Sequence, residues 1–104
     1  MRMWMIEPSL LCRQHLLGEH REIHTLAGTL RAGKSVDGYI QRGLVEIHSM
    51  YARHEALVEE MIRRGYNHAT PLRSFPIRKA GVVNKAKSRF DLKLRCPQCR
   101  ENLR

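Results

Sequence analysis

The chain has 104 residues, with 19 Lys and Arg against 10 Asp and Glu, a formal net charge of +9 and a pI near 10.2. This length favours one domain, residues 1–104, and no apolar run approaches the ~20 residues of a membrane helix. Charged side chains interrupt the first seventeen residues, whereas a secretory signal has an unbroken apolar region there. We therefore expect a cytoplasmic protein without a membrane partner.

The positive charge is concentrated in the last third of the chain. Residues 1–71 carry a net charge of +1, and residues 72–104 carry +8. Such a basic segment suits a polyanion, of which nucleic acid is the commonest, and its binding would weaken with salt. The alternative is a solvated segment that only keeps the protein soluble.

The first predicted helix begins at Pro8 and Ser9, where Ser9 can act as the N-cap. Apolar residues then recur at helical spacing as far as Leu30. Gly33 follows Arg31 and predicts the end of this helix, because glycine is common just after a helix.

The next segment, residues 34–43, is a connector with short helical potential around Tyr39 and Ile40. Apolar residues at i, i+3, i+4 and i+7 predict a second long helix over residues 44–64, and Gly65 is placed to end it.

Beyond Gly65, prolines and a glycine punctuate a segment without a clear period. A third helix is predicted over residues 84–94, Pro97 predicts a break, and Val82 and Val83 form the one weak strand candidate. The sequence therefore predicts an all-α, compact single-domain bundle of about three helices. Residues 1–71 form its helical core and residues 72–104 an irregular basic segment.

The densest polar cluster lies on the first predicted helix. On an ideal helix His15, Glu19 and Glu22 lie near one another, because they are spaced by three, four and seven residues. Glu22, beside Arg21 in a strongly basic protein, is either an ion-pair partner or a catalytic group. Composition alone favours the ion pair.

Two patterns raise the question of a metal. His20 and His24 are four residues apart, but Glu22 between them points about 200° away from each. The H-E-x-x-H arrangement is therefore absent, and the two histidines are interpreted as surface residues.

The second pattern is Cys96-Pro97-Gln98-Cys99, which is half of a zinc site. A full site would need two more ligands, from Cys12 and a histidine. The alternative is a pair of small, partly apolar residues that tether the tail. Three cysteines make no disulfide framework, and a reducing compartment is expected.

Three segments carry a family resemblance. They are Met1-Arg2-Met3-Trp4, the block QHLLGEHRE at residues 14–22, and EEMIRRGYN at residues 59–67. Together they resemble the pyrimidine-dimer DNA glycosylases of the phage endonuclease V type. The pattern Q-H-L-x-x-E-x-R-E is fairly specific, and the resemblance covers about the first seventy residues.

This resemblance implies an all-helical fold with the N-terminal segment packed between the main helices. It implies a glycosylase with abasic-site lyase activity, in which the Met1 amine attacks the sugar, forms an imine and allows β-elimination to nick the strand. Glu22 would be the essential carboxylate, and the partner would be damaged double-stranded DNA. DNA contacts are implied for Arg2, Gln14, His15 and Arg21.

The basic segment adds DNA-contact candidates that rest on charge alone, Lys85, Lys87 and Arg89. The Met1 amine can act as the nucleophile only if Met1 is retained. The bulk of Arg2 at the second position disfavours removal of Met1. Chain-terminal amines are less basic than lysine, with an ordinary pKa of about 7.7–8.0 against about 10.4. We expect a monomeric, nucleoid-associated protein of bacterial or phage origin that needs no metal or other cofactor.

Three alternatives stay open. The chain could be a non-catalytic basic nucleic-acid-binding module, an abasic-site lyase that acts at another lesion, or a small interaction protein stabilised by zinc at Cys96 and Cys99.

Overall fold

The structure is a computed structural model that describes residues 1–67 and 70–104, and it is all-α over these residues, as predicted. Its α-helices are, in chain order, α1 Arg13–Arg31, α2 Asp37–Gln41, α3 Met50–Arg63, α4 Lys85–Arg95 and α5 Pro97–Asn102. Short 3-10 helices at Pro8–Leu10 and Ile47–Ser49 precede α1 and α3. The three predicted main helices are thus present as α1, α3 and α4, and α2 confirms the short helical potential around Tyr39 and Ile40. The described part of the chain adds α5 and the 3-10 helices.

Helix α1 starts later than the sequence pattern indicates. Pro8–Leu10 forms a separate 3-10 turn, and Leu11 and Cys12 are extended, so that Cys12 rather than Ser9 occupies the N-cap position. The predicted end is confirmed. Gly33 has a φ of 71° and donates its N–H to the Leu30 carbonyl, while Lys34 donates to the Thr29 carbonyl; the two bonds form the usual glycine-terminated helix end.

Helix α3 also starts later than predicted, at Met50 instead of residue 44. Residues 44–46, which precede the 3-10 helix, form no helix, and long-range hydrogen bonds tie this stretch to neighbouring segments. The Leu44 carbonyl accepts from the Met3 N–H, and the Ile47 N–H donates to the Ala80 carbonyl at 2.9 Å. These long-range bonds replace the helical ones that the local pattern favours.

Helix α4 is the predicted third helix, and the prediction of an irregular C-terminal segment is wrong for Pro97–Asn102, which forms α5. Asn84 caps α4 by accepting a hydrogen bond from the Lys87 N–H, as a good N-cap residue does. Pro97 ends α4 as expected but also begins α5, because proline is tolerated in the first helical turn. Val82 and Val83 form no strand with any described residue.

The hydrophobic core draws on both parts of the chain. Met3 and Trp4 are buried in the N-terminal segment, and Leu92, Cys99 and Leu103 are buried at the other end. The N-terminal segment is therefore packed inside the bundle, as predicted. Across the described residues, no helix has both the length and the apolar character that a membrane crossing requires.

One buried ion pair joins the two longest helices. Arg53 of α3 donates through Nη2 to the Glu19 carboxylate of α1 at 2.9 Å, and a second bond runs from its Nε. A bidentate guanidinium–carboxylate pair fixes relative position well. It sets α1 against α3 directly below the functional site described next.

Candidate active site

An open cavity of ≈ 850 Å³ lies between the N-terminal segment, α1, the end of α2 and α4. Its lining is mainly polar and charged: Met1, Arg2, Trp4, Gln14, His15, Gly18, Glu19, Glu22, Gln41, Arg42, Leu44, Lys87, Asp91 and Arg95. The cavity is the meeting point of elements from both ends of the chain.

The structure brings Met1 and Glu22 to this same cavity. Glu22 Oε2 accepts a hydrogen bond from the backbone N–H of Arg2 at 2.9 Å. This bond holds the first peptide unit of the chain against the middle of α1. The terminal residue and the predicted carboxylate are therefore neighbours, although 20 positions separate Arg2 from Glu22.

Three further contacts fix the segment that carries Met1. The Arg2 guanidinium lies 2.9 Å from the Asp91 carboxylate and 4.0 Å above the centre of the Trp4 ring. The Trp4 carbonyl accepts from the Ser88 hydroxyl. The hydrogen bond from Arg2, with a smaller contribution from nearby Lys87, holds the pKa of Asp91 below its ordinary value against the opposing effect of burial. The pair is thus charged at neutral pH.

Arg2 also keeps an unused donor. Its Nε is buried and has no hydrogen-bond partner within residues 1–67 and 70–104. Buried donors are nearly always satisfied, so an unsatisfied one in a cavity wall is a candidate ligand contact.

The predicted DNA-contact residues divide into two groups. Gln14, His15 and Lys87 line the cavity with Arg2. Arg21 and Lys85 are exposed and lie outside its lining.

Arg89 lies outside the cavity as well. Its guanidinium donates to the Leu103 carbonyl at 2.6 Å and so ties α4 to the C-terminal residues. A contact of Arg89 with DNA stays a prediction.

Sequence reasoning missed several residues of the cavity. Arg42, Asp91 and Arg95 contribute charge to it, and Trp4 contributes an aromatic wall. Neither Arg42 in the connector nor Arg95 near the end of α4 belongs to a motif. Asp91 could have been noticed as one of two acidic residues in a segment of ten basic ones.

His15 has a second environment besides the cavity. Burial lowers its pKa, Arg95 lowers it further, and Glu22 opposes them. Its Nδ1 lies 3.2 Å from Cys12 Sγ, and its ring meets the Trp4 ring edge-on. The imidazole is therefore held between the cavity and a group of cysteines.

Among residues 1–67 and 70–104, two groups of side chains could hold a metal ion. The ligand atoms of Cys12, His15, Cys96 and Cys99 all lie within 4.8 Å of one another. Cys12 and His15 thus lie where they could supply the two further ligands that a zinc site at the C-x-x-C pair needs.

The other group consists of His20, His24 and His54, whose ligand atoms also lie within 4.8 Å. His24 Nε2 is 3.1 Å from His54 Nε2, and the Nδ1 of His54 contacts Glu55. The interpretation of His20 and His24 as surface histidines is wrong, because both are half-buried and pack against the buried His54.

The fold and the cavity define a basic, all-α protein in which the Arg2 N–H, next to the chain terminus, binds Glu22 in a charged cleft. The family model described as pyrimidine dimer DNA glycosylase matches residues 1–74, and the chain belongs to this family. No curated protein and no solved structure matches the chain. Helices α4 and α5 lie beyond the matched region.

Proposed function

We propose that this DNA glycosylase cleaves the N-glycosidic bond at pyrimidine dimers through the Met1 amine and then nicks the strand as an abasic-site lyase. The observation that carries the proposal is the hydrogen bond from the Arg2 N–H to Glu22 at 2.9 Å. It holds the chain terminus and an acidic side chain together at the mouth of the cavity, which is the pairing that imine chemistry needs.

The chemistry uses the chain's own groups. The lone pair of the neutral amine attacks the sugar C1′, and the glycosidic bond breaks with its electron pair leaving on the base, which takes up a proton. The sugar ring then opens at O4′, which is protonated as nitrogen loses its proton and the imine forms. Loss of a C2′ proton expels the 3′ phosphate and breaks the strand.

Glu22 has two tasks in this scheme. Its negative charge stabilises the cationic sugar that develops as the glycosidic bond breaks. Its carboxylate also accepts and returns protons during ring opening and elimination. The bond to the Arg2 amide supports both tasks, because it orients the carboxylate toward the terminus before DNA binds.

The cavity wall suits a deoxynucleotide that has left the duplex. Its volume of ≈ 850 Å³ lies within the range of about 300–1,000 Å³ typical of ligand sites. Arg42, Lys87 and Arg95 supply positive charge for flanking phosphates. Such contacts offset the few kcal/mol that base extrusion costs.

The decisive experiment is a nicking and trapping assay on defined duplexes. Oligonucleotides carrying a thymine dimer, an abasic site or neither are incubated with protein, with and without borohydride. We expect nicking of both lesions and a borohydride-stable adduct, which peptide mass spectrometry locates at residue 1. Glu22→Gln should abolish turnover and retain binding, whereas Glu59→Gln, an exposed glutamate of α3, should behave as wild type.

An N-terminally blocked protein serves as the second arm. Acylation removes the nucleophilic lone pair, so we expect nicking and trapping to disappear while DNA binding persists. Equal activity of the blocked and free proteins would refute the amine mechanism. Binding without any cleavage would instead support the non-catalytic module, and nicking at abasic sites alone would restrict the enzyme to a lyase.

A further inference from the structure

We propose that Cys12, His15, Cys96 and Cys99 bind one structural Zn²⁺ ion that fastens the C-terminal helices to the start of α1. The four residues lie outside the proposed catalytic pair, and two of them lie beyond the region that the family model matches. The site therefore belongs to a part of this chain that the family assignment does not cover.

The distances within the cluster are those of a tetrahedral zinc site. Cys12 Sγ lies 3.8 Å from Cys96 Sγ and 3.2 Å from His15 Nδ1, and Cys99 Sγ lies 3.7 Å from the same nitrogen. With Zn–S bonds of about 2.3 Å and Zn–N bonds of about 2.0 Å, tetrahedral corners are about 3.8 Å apart for two sulfurs and about 3.6 Å for sulfur and nitrogen. These three pairs match the tetrahedral spacing to within a few tenths of an ångström, and all four ligand atoms lie within 4.8 Å of one another.

The backbone around the cluster also suits thiolate ligands. Cys12 and His15 form a C-x-x-H pair in the first turn of α1, and Cys96 and Cys99 form a C-x-x-C pair at the start of α5. The Cys12 N–H points to Cys99 Sγ at 3.3 Å, and the Cys99 N–H points to Cys96 Sγ at 3.4 Å. Hydrogen bonds from backbone amides stabilise the negative charge of metal-bound sulfur.

The coordination would be complete, with two of its four ligands buried. Cys96 and Cys99 are buried, with exposed fractions of 9% and 0%. Four protein ligands leave no position for water or substrate, which is the pattern of structural rather than catalytic zinc. The ion therefore adds no chemistry to the cavity, and the proposal stands independently of the amine mechanism.

The consequence is mechanical. Zinc would join residues 81 or more positions apart and hold α4, which carries Lys87 and Asp91, against the cavity. It would also bind His15 through Nδ1, which leaves the proton on Nε2 and fixes one tautomer of a cavity-wall residue. His15 would thus be a positioning residue as well as a DNA-contact candidate.

Two alternatives to the proposed zinc site determine which controls are needed. Zinc could occupy the cluster of His20, His24 and His54 instead, or two of the three cysteines could form a disulfide. His24→Asn disrupts the histidine cluster and leaves all three cysteines in place. Thiol counting in denaturant, without reductant, tests the second alternative.

The experiment measures metal in the full-length protein, purified without added metal or chelator. We expect about one zinc per chain by elemental analysis, retained in His24→Asn and lost in Cys96→Ser/Cys99→Ser. Substitution with Co²⁺ should give the intense visible bands of tetrahedral cobalt together with near-ultraviolet thiolate-to-cobalt charge transfer. Chelation should lower the melting temperature by at least about 10 °C, and stoichiometric zinc should restore it.

Alkylation provides a readout that does not depend on a folded variant. In the wild-type protein all three thiols should resist iodoacetamide until chelator is added, and all three should then react. The proposal is overturned if zinc is absent and cobalt gives no charge-transfer band, if the zinc leaves with His24→Asn, or if fewer than three thiols react in denaturant.

Discussion

The guanidinium of Arg2 lies 2.9 Å from the carboxylate of Asp91, so the second residue of the chain is paired with helix α4. Both side chains line the cavity, and the exposed fraction of Asp91 is only 23%. Because Arg2 adjoins the proposed nucleophile, α4 helps to determine where the terminal amine lies.

Replacement of Asp91 by Asn should slow formation of the borohydride-trapped adduct on abasic-site DNA by about two- to fivefold, the effect of weakening one partly exposed ion pair. The Met1 segment would lose an anchor, while the bond from its neighbour to Glu22 remains. The rate is measured under single-turnover conditions. Asp37→Asn, which removes the exposed Asp37–Arg78 pair, is the matched control. Equal rates for both variants would show that α4 does not position the terminus.

Lys87 should contact a DNA phosphate. Lys87→Ala is expected to weaken binding at every sequence and to reduce the slope of log K against log salt by about 0.9, because one fewer counterion is released. Fluorescence anisotropy between low and moderate salt gives the slope. Lys34→Ala, an exposed lysine outside the cavity lining, should leave the slope near that of wild type. An unchanged slope for Lys87→Ala would contradict the contact.

The Glu60 cluster at the end of α3 should make stability depend on pH. The hydrogen bond from Arg63, supported by Arg64, holds the pKa of Glu60 below its ordinary value despite burial. A lowered folded-state pKa means that this stabilisation is fully present above the unfolded value of about 4.3 and is lost as the pH falls through the folded value.

Glu60→Gln should therefore lower the free energy of unfolding at pH 7. The difference between variant and wild type should shrink as the pH falls. Arg64 also donates to the Leu11 carbonyl at 2.7 Å, so the cluster supports the turn before α1. Urea unfolding between pH 7 and pH 3 measures the difference, with Glu59→Gln as the exposed neighbour. A difference that stays constant down to pH 3 would contradict the assignment.

Gly81 should tolerate no side chain. Its φ is 87°, and a Cβ there would lie 2.1 Å from the Val45 carbonyl oxygen. Gly81→Ala should destabilise the protein by at least about 1–3 kcal/mol, from backbone strain and displacement of residues 80–83, and lower the melting temperature by at least about 5 °C.

The control is Gly38→Ala in α2, where a Cβ meets no atom within 4 Å. There the change should be neutral or stabilising by up to about 1 kcal/mol, because alanine favours the helix. Equal melting temperatures for the two variants would show that the Val45 contact does not form.

The sequence by itself determined the local structure. Apolar spacing predicted α1 and α3, Gly33 and Gly65 predicted two helix ends, and the block at residues 14–22 carried the family resemblance. These features succeed because helix periodicity, capping and glycine conformation depend on residues only a few positions apart. The starts of α1 and α3 were predicted too early. Hydrogen bonds from Arg64 to carbonyls of residues 8–11 hold the turn before α1, and long-range bonds at Leu44 and Ile47 hold the stretch before α3. Local patterns do not include such bonds.

Only the tertiary structure decided which distant residues meet. No sequence spacing relates Asp91 to Arg2, or Cys96 and Cys99 to Cys12. Burial of Leu92, Cys99 and Leu103 in the common core brings α4 and α5 back to α1, and that packing gathers the cavity and the cysteine cluster. The physical reason is that hydrophobic burial is non-directional, so the pairing of chain ends follows from the shape of the whole core.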